Sequence, residues 1–187
     1  LSIVLVTNAV VLTHRAGADG GASSFGARSP ASSKAQRLAG LALALGFVVT
    51  ATGTVVTATG PHGGDDRAAR FGFAINHVAR VHSLAVWAFV AAVVALSVIL
   101  ARSDGAGPRL DAARNLLILA LAQGAIGYTQ YFTGVPPVLV GIHLLGASLV
   151  WAATVYLGLL VIGTGPAIVP AGTGQQRHPP VPVLSRG

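Results

Sequence analysis

Leu38 to Thr59 is a run of 22 residues without a charge, and three further apolar stretches follow it at about Ala74–Leu100, Ala112–Phe132 and Val138–Ile162. A bilayer core about 30 Å thick takes about 20 apolar residues per helical span. Inside lipid every backbone N–H and C=O must find a partner within the protein, which leaves helices or closed barrels. Charged residues make up 9% of the chain against a usual value of about 25%, and the mean hydropathy is +0.72. The expected fold class is all-α: a polytopic membrane protein with a four-helix transmembrane bundle at residues 38–162.

The flanking segments divide the chain further. Residues 1–13, "LSIVLVTNAVVLT", are apolar but too short to span and carry no basic leader. They are expected to be the end of a truncated transmembrane helix, and the absence of Met makes Leu1 an unusual first residue, as in the back portion of a longer protein. Residues 14–37 are rich in Gly, Ser and Ala and read as a linker. Residues 163–187 are rich in Pro and Gly and read as a disordered tail. The net charge of +7 is spread through connecting segments rather than gathered in one patch, so it is assigned to topology and not to nucleic acid. Arg15, Arg28, Lys34 and Arg37 in the linker, Arg102, Arg109 and Arg114 after the second span, and two Arg in the tail all fall on one side. The positive-inside rule makes that side cytoplasmic, with the chain in the cell (plasma) membrane.

Ionisable groups within a span are rare and usually functional. His82 in "ARVHSLAVW" and His143 in "LVGIHLLGAS" both lie well inside spans. Each sits roughly 9–12 Å from the outer end of its helix at 1.5 Å rise per residue. The two helices run the same way, so the imidazoles lie level. Gly146 and Ala147 follow His143 by one turn, while Val78, Ala79, Ala85 and Val86 flank His82, which leaves room for a flat ligand. An iron porphyrin takes two axial imidazoles. Zinc wants about four ligands, and there is no Cys or Glu to supply them. The ordinary alternative is that each His hydrogen-bonds a neighbouring helix through Ser, Thr or a carbonyl.

His77 is a rival ligand, five residues from His82 and about 140° round the helix. His62, His14 and His178 fall in connecting segments, where solvation is the default. Arg80 is the best placed of Arg67, Arg70 and Arg80 to meet the propionates of a haem, although topology alone explains all three. Gln123 and Gln130 read as interhelical glue. Trp87, Trp151 and Tyr156 read as packing or interface residues.

Four stretches in order, "TGTVVTATGPHGGD", "ARVHSLAVW", "AQGAIGYTQYFTGVPP" and "VLVGIHLLGASLVWA", resemble the second half of the heme A synthase family. The resemblance covers roughly Leu38 to Ile162. It implies eight helices in two similar halves, with the second half holding haem b through His82 and His143. It further implies oxidation of the C8 methyl of haem O to the formyl of haem A, for a terminal oxidase. Haem O and haem A would be substrate and product through an upstream half, with haem O synthase and oxidase assembly proteins as partners. The family's outer-loop cysteines are not present here, and its substrate-side histidines and glutamate would lie upstream of Leu1. No catalytic residue is therefore expected in this half. The residues themselves leave two other readings open: a stand-alone membrane dihistidine haem b electron carrier, and a non-haem structural bundle.

Overall fold

The computed structural model describes residues 2–20, 30–61, 69–103, 105 and 107–163. Five helices make up the described residues: α1 (Ser2–Gly20), α2 (Ser33–Thr59), α3 (Ile75–Ser103), α4 (Pro108–Phe132) and α5 (Pro137–Ile162). Three of them, α2, α3 and α5, are long and apolar enough to cross a membrane. Four such helices were expected. The difference is α4, a 25-residue helix that opens on Arg109, Asp111 and Arg114 and ends among Gln123, Tyr128, Gln130 and Tyr131, all of which lower its apolar character.

The helices form a ring. α2 packs on α3, α3 on α4, α4 on α5 and α5 on α2, while α1 lies outside against α5. Among the described residues, α3 and α5 do not pack on one another and stand diagonally across the ring. Neighbours run antiparallel: Gly46 faces Phe89 of α3, Gly53 faces His82, and Leu43 of α2 lies on Gly158 of α5. We call the end carrying the α2–α3 and α4–α5 connections the upper end, and the end carrying the α3–α4 connection the lower end.

Helix termini extend past the apolar runs. α2 starts at Ser33, five residues before Leu38, because Ser32 caps it by accepting the Ala35 N–H at 3.3 Å. α4 starts at Pro108, a first-turn proline whose missing N–H costs nothing there. α1 continues beyond Thr13 to Gly20, so the linker expected at 14–37 is helical at both ends. Hydropathy falls where charge begins, but a hydrogen-bonded helix need not stop there. Residues 21–29 of that linker, His62 and Arg67 in the α2–α3 connection, and the tail from residue 164 lie outside the described residues.

Ties at both ends hold the helices in register. At the lower end the Arg109 guanidinium donates to the Leu160 carbonyl at 2.9 Å, satisfying a carbonyl in the last turn of α5. At the upper end Arg70 donates to the carbonyls of Gly60 and Pro61 at 2.7 and 3.0 Å, just beyond α2. The α4–α5 turn spans only Thr133 to Pro136. Gly134 and Val135 both take positive φ, 78° and 59°, and the Val135 N–H returns to the Gln130 carbonyl at 2.7 Å. This six-to-one bond closes α4 in the Schellman manner. A β-branched residue in the left-handed region is costly, so the tight turn is maintained against local preference.

The α2–α5 seam is built on glycine. A Cβ on Gly46 would stand 3.3 Å from Thr154 Cγ2 and 3.6 Å from the Trp151 ring, and one on Gly158 would stand 2.7 Å from Leu43 Cδ1. Small residues let helices approach closely in lipid, where packing rather than water exclusion drives association. Gly158→Val is expected to destabilise the bundle by about 1–3 kcal/mol, measured by unfolding in detergent. The double variant with Leu43→Ala should recover part of that loss.

Candidate functional site

The two ends of the bundle pack differently. The buried residues of α2 are Ala35, Ala39, Ala42 and Gly46, and those of α4 are Leu110, Ala113, Leu116 and Ala120. In α3 burial begins at Phe89, and in α5 at Gly146. Within these four helices, every fully buried residue therefore lies on the lower side of a level set by Gly46, Phe89, Ala120 and Gly146. Above that level the helices continue for two to four turns with no fully buried side chain.

His82 and His143 occupy this upper half. His82 is seven positions past Ile75 and His143 six past Pro137, about 10 and 9 Å along their helices at 1.5 Å per residue. Both are half-buried. They come from the two diagonal helices, α3 and α5. The structure therefore sets at one level the two imidazoles that the sequence singles out.

Each ring rests on a glycine of a neighbouring helix. A Cβ on Gly53 of α2 would stand 3.1 Å from His82 Cε1, and a Cβ on Gly127 of α4 would stand 3.2 Å from His143 Cε1. The arrangement is repeated: an upward helix supplies the glycine and the following downward helix supplies the histidine. Ordinary side chains at these two places would occupy the space of the rings. Glycine is common in membrane helices, so neither residue stands out in the sequence. Only the register between helices identifies them.

The polar surroundings of the two rings differ. His82 Nδ1 is 3.1 Å from Thr52 Oγ1. His143 Nδ1 is buried and has no hydrogen-bond partner. The Oε1 atoms of Gln123 and Gln130 are likewise buried and unpartnered, and the Gln123 amide packs directly on Gly146, one turn beyond His143. Gln123, Gly127 and Gln130 recur at spacings of four and three, so they share the α4 face that meets α5. The helix-glue role expected of the two glutamines does not describe their Oε1 atoms, which bond to no other helix.

A further cluster ties α3 to α4 at the same level. Tyr128 Oη accepts from Trp87 Nε1 at 3.2 Å and shares a hydrogen bond with Ser83 Oγ at 2.7 Å. Ser83 follows His82, and Tyr128 follows Gly127. Trp87 thus combines an exposed ring with a polar tie. Trp151 is buried and donates to Thr7 Oγ1 of α1 at 2.9 Å. Tyr156 meets the edge of the His14 ring, with centroids 6.2 Å apart, so His14 lies on a helix and not in a connecting segment.

Other expected participants stay apart from the pair. Arg80 is exposed and two residues from His82, a spacing that puts the two on different faces of α3. His77 is also exposed. Arg70 is engaged with the Gly60 and Pro61 carbonyls. Among the described residues, no three His, Cys, Asp or Glu side chains gather as ligands for a bare metal ion.

The two seats make independent predictions. Gly127→Val should displace the His143 ring and speed its acylation by diethyl pyrocarbonate, read by mass spectrometry, while leaving His82 unchanged. Gly53→Val should do the reverse. Each substitution is expected to cost about 1–3 kcal/mol as overpacking.

No protein-family model, no curated protein and no solved structure matches this chain.

Proposed function

We propose that the upper half of the bundle holds haem b, with His82 and His143 as its axial ligands, and that the chain serves as the cofactor-holding half of a heme A synthase-type oxidoreductase in the plasma membrane. One observation carries the haem reading. The buried residues of all four helices lie below the imidazole level, and two imidazoles from diagonal helices stand level above them, each seated on glycine. A bundle that needed its histidines only as glue would not leave His143 Nδ1 buried without a partner.

When bound, haem b supplies one-electron chemistry at its iron. The chain's residues do the rest. His82 and His143 grip from opposite helices, the Gly53 and Gly127 backbones permit the close approach, and the packed lower half keeps the spacing of α3 and α5 constant. The exposed Ile118, Leu121, Leu144, Leu145 and Leu149 present an apolar exterior suited to lipid. On this reading α4 also crosses the membrane, completing four spans, since it packs along both α3 and α5.

The synthase assignment rests on the four resembling stretches. On that likeness the oxidation of the haem O methyl would take place in a second haem site, outside this bundle. The chain's own part is then to hold haem b and to pass electrons to or from that site.

Haem b titrated into the purified chain should give the visible spectrum of a low-spin, bis-imidazole haem. His82→Ala and His143→Ala should each abolish that spectrum while circular dichroism shows the helices intact, because helices in lipid keep their backbone bonds without the cofactor. Unchanged haem content in either variant would rule the pair out. A chain that binds haem but converts no haem O when joined to a candidate upstream half would favour the plain electron carrier.

A further inference from the structure

We propose that Thr52 is the positioning residue that fixes the tautomer of His82, holding hydrogen on Nδ1 so that Nε2 carries a free lone pair; this rests on the haem reading only for what that lone pair binds. The argument follows the protons. A threonine hydroxyl has one hydrogen to give and can accept besides. Thr52 Oγ1 lies 2.8 Å from the Val48 carbonyl and 3.1 Å from the Val49 carbonyl, one turn back in α2, and donates there. Those backbone oxygens can only accept, so in this arrangement the hydroxyl hydrogen goes to one of them; the Val49 carbonyl also partners the His82 ring, and it too asks the ring for a hydrogen.

What Thr52 offers His82 Nδ1, 3.1 Å away, is a lone pair. Nδ1 must then be the donor. A neutral imidazole carries one N–H, and with that hydrogen on Nδ1 the other nitrogen is bare. Nε2 is thus ready for a metal before any metal arrives. A hydrogen-bonded outer nitrogen is the usual way that a ligating histidine is oriented and its tautomer set.

Gly53 completes the device. It follows Thr52 directly, and its missing side chain lets the ring lie within 3.1 Å of where a Cβ would stand. A side chain there would press on the imidazole, which would have to shift to make room. His143 has the matching glycine but no matching hydroxyl, and its Nδ1 is unpartnered. The two imidazoles are unequal: His82 is set in advance, and His143 is free to choose its tautomer when it binds.

The test uses the full chain in lipid nanodiscs, labelled with 15N-histidine, first without haem. The His82 signals are identified by their loss in His82→Ala. Wild-type His82 should show a protonated Nδ1 and an unprotonated Nε2. Thr52→Val keeps the side-chain shape and removes the acceptor, so it should give a mixture of tautomers. Thr52→Ser should restore the wild-type pattern.

Haem b is then titrated into each. Thr52→Val should bind about 10–100-fold more weakly than wild type, with Thr52→Ser within a few-fold of it. A wild-type His82 protonated on Nε2 would overturn the proposal, as would Thr52→Val with unchanged tautomer and unchanged affinity. The two readings separate cleanly. A wild-type chain that shows the expected His82 tautomer, loses it in Thr52→Val and takes up no haem supports the role of Thr52 and refutes the cofactor assignment.

Discussion

An imidazole within an apolar bundle is expensive to keep. Each ring nitrogen that loses water must gain a partner, and an unmet polar group in such surroundings costs several kcal/mol. This constraint shapes the upper half of the chain. One ring answers it on Nδ1 through a hydroxyl that is itself anchored to the backbone. The other leaves Nδ1 unanswered, beside two glutamine oxygens in the same condition.

The same constraint accounts for the contrast between the two ends. The lower half follows the ordinary rules of helix packing in lipid. Alanines of α2 and α4 admit Phe89, Val93, Leu96 and Leu157, and fully buried side chains interlock from helix to helix. That half makes the bundle a bundle. In the upper half glycines face rings and buried polar atoms stand between helices. The division resembles the separation of scaffold and site in soluble proteins, here stacked along one set of helices.

Much of this was legible in the residues. The last residue of three apolar runs, Thr59, Phe132 and Ile162, is also the last residue of α2, α4 and α5, because Gly60, the Thr133–Gly134 turn and Gly163 are strong breakers that act locally. The paired histidines were legible as well, since helical rise alone sets their height. Helix starts were less so. Ser32 and Pro108 act through hydrogen bonding and backbone geometry, to which hydropathy is blind. Least legible were Thr52, Gly53 and Gly127. Threonine and glycine are common in membrane helices, and what distinguishes these three is which neighbour they meet. That information lies in the register between helices and not in any one segment. Arg80 illustrates the converse: it is close to His82 in sequence, yet two residues along a helix is nearly the opposite face.

The α4–α5 turn has a consequence for how the chain can vary. Four residues, two of them left-handed, join Phe132 to Pro137 with no slack, so the height of α5 beside α4 is set by the turn. Between Pro137 and His143 the helix then acts as a ruler. One residue inserted there would lower the ring by about 1.5 Å and swing it by about 100°, away from Gly127. Length changes should therefore be absent from that stretch in any working form of this protein.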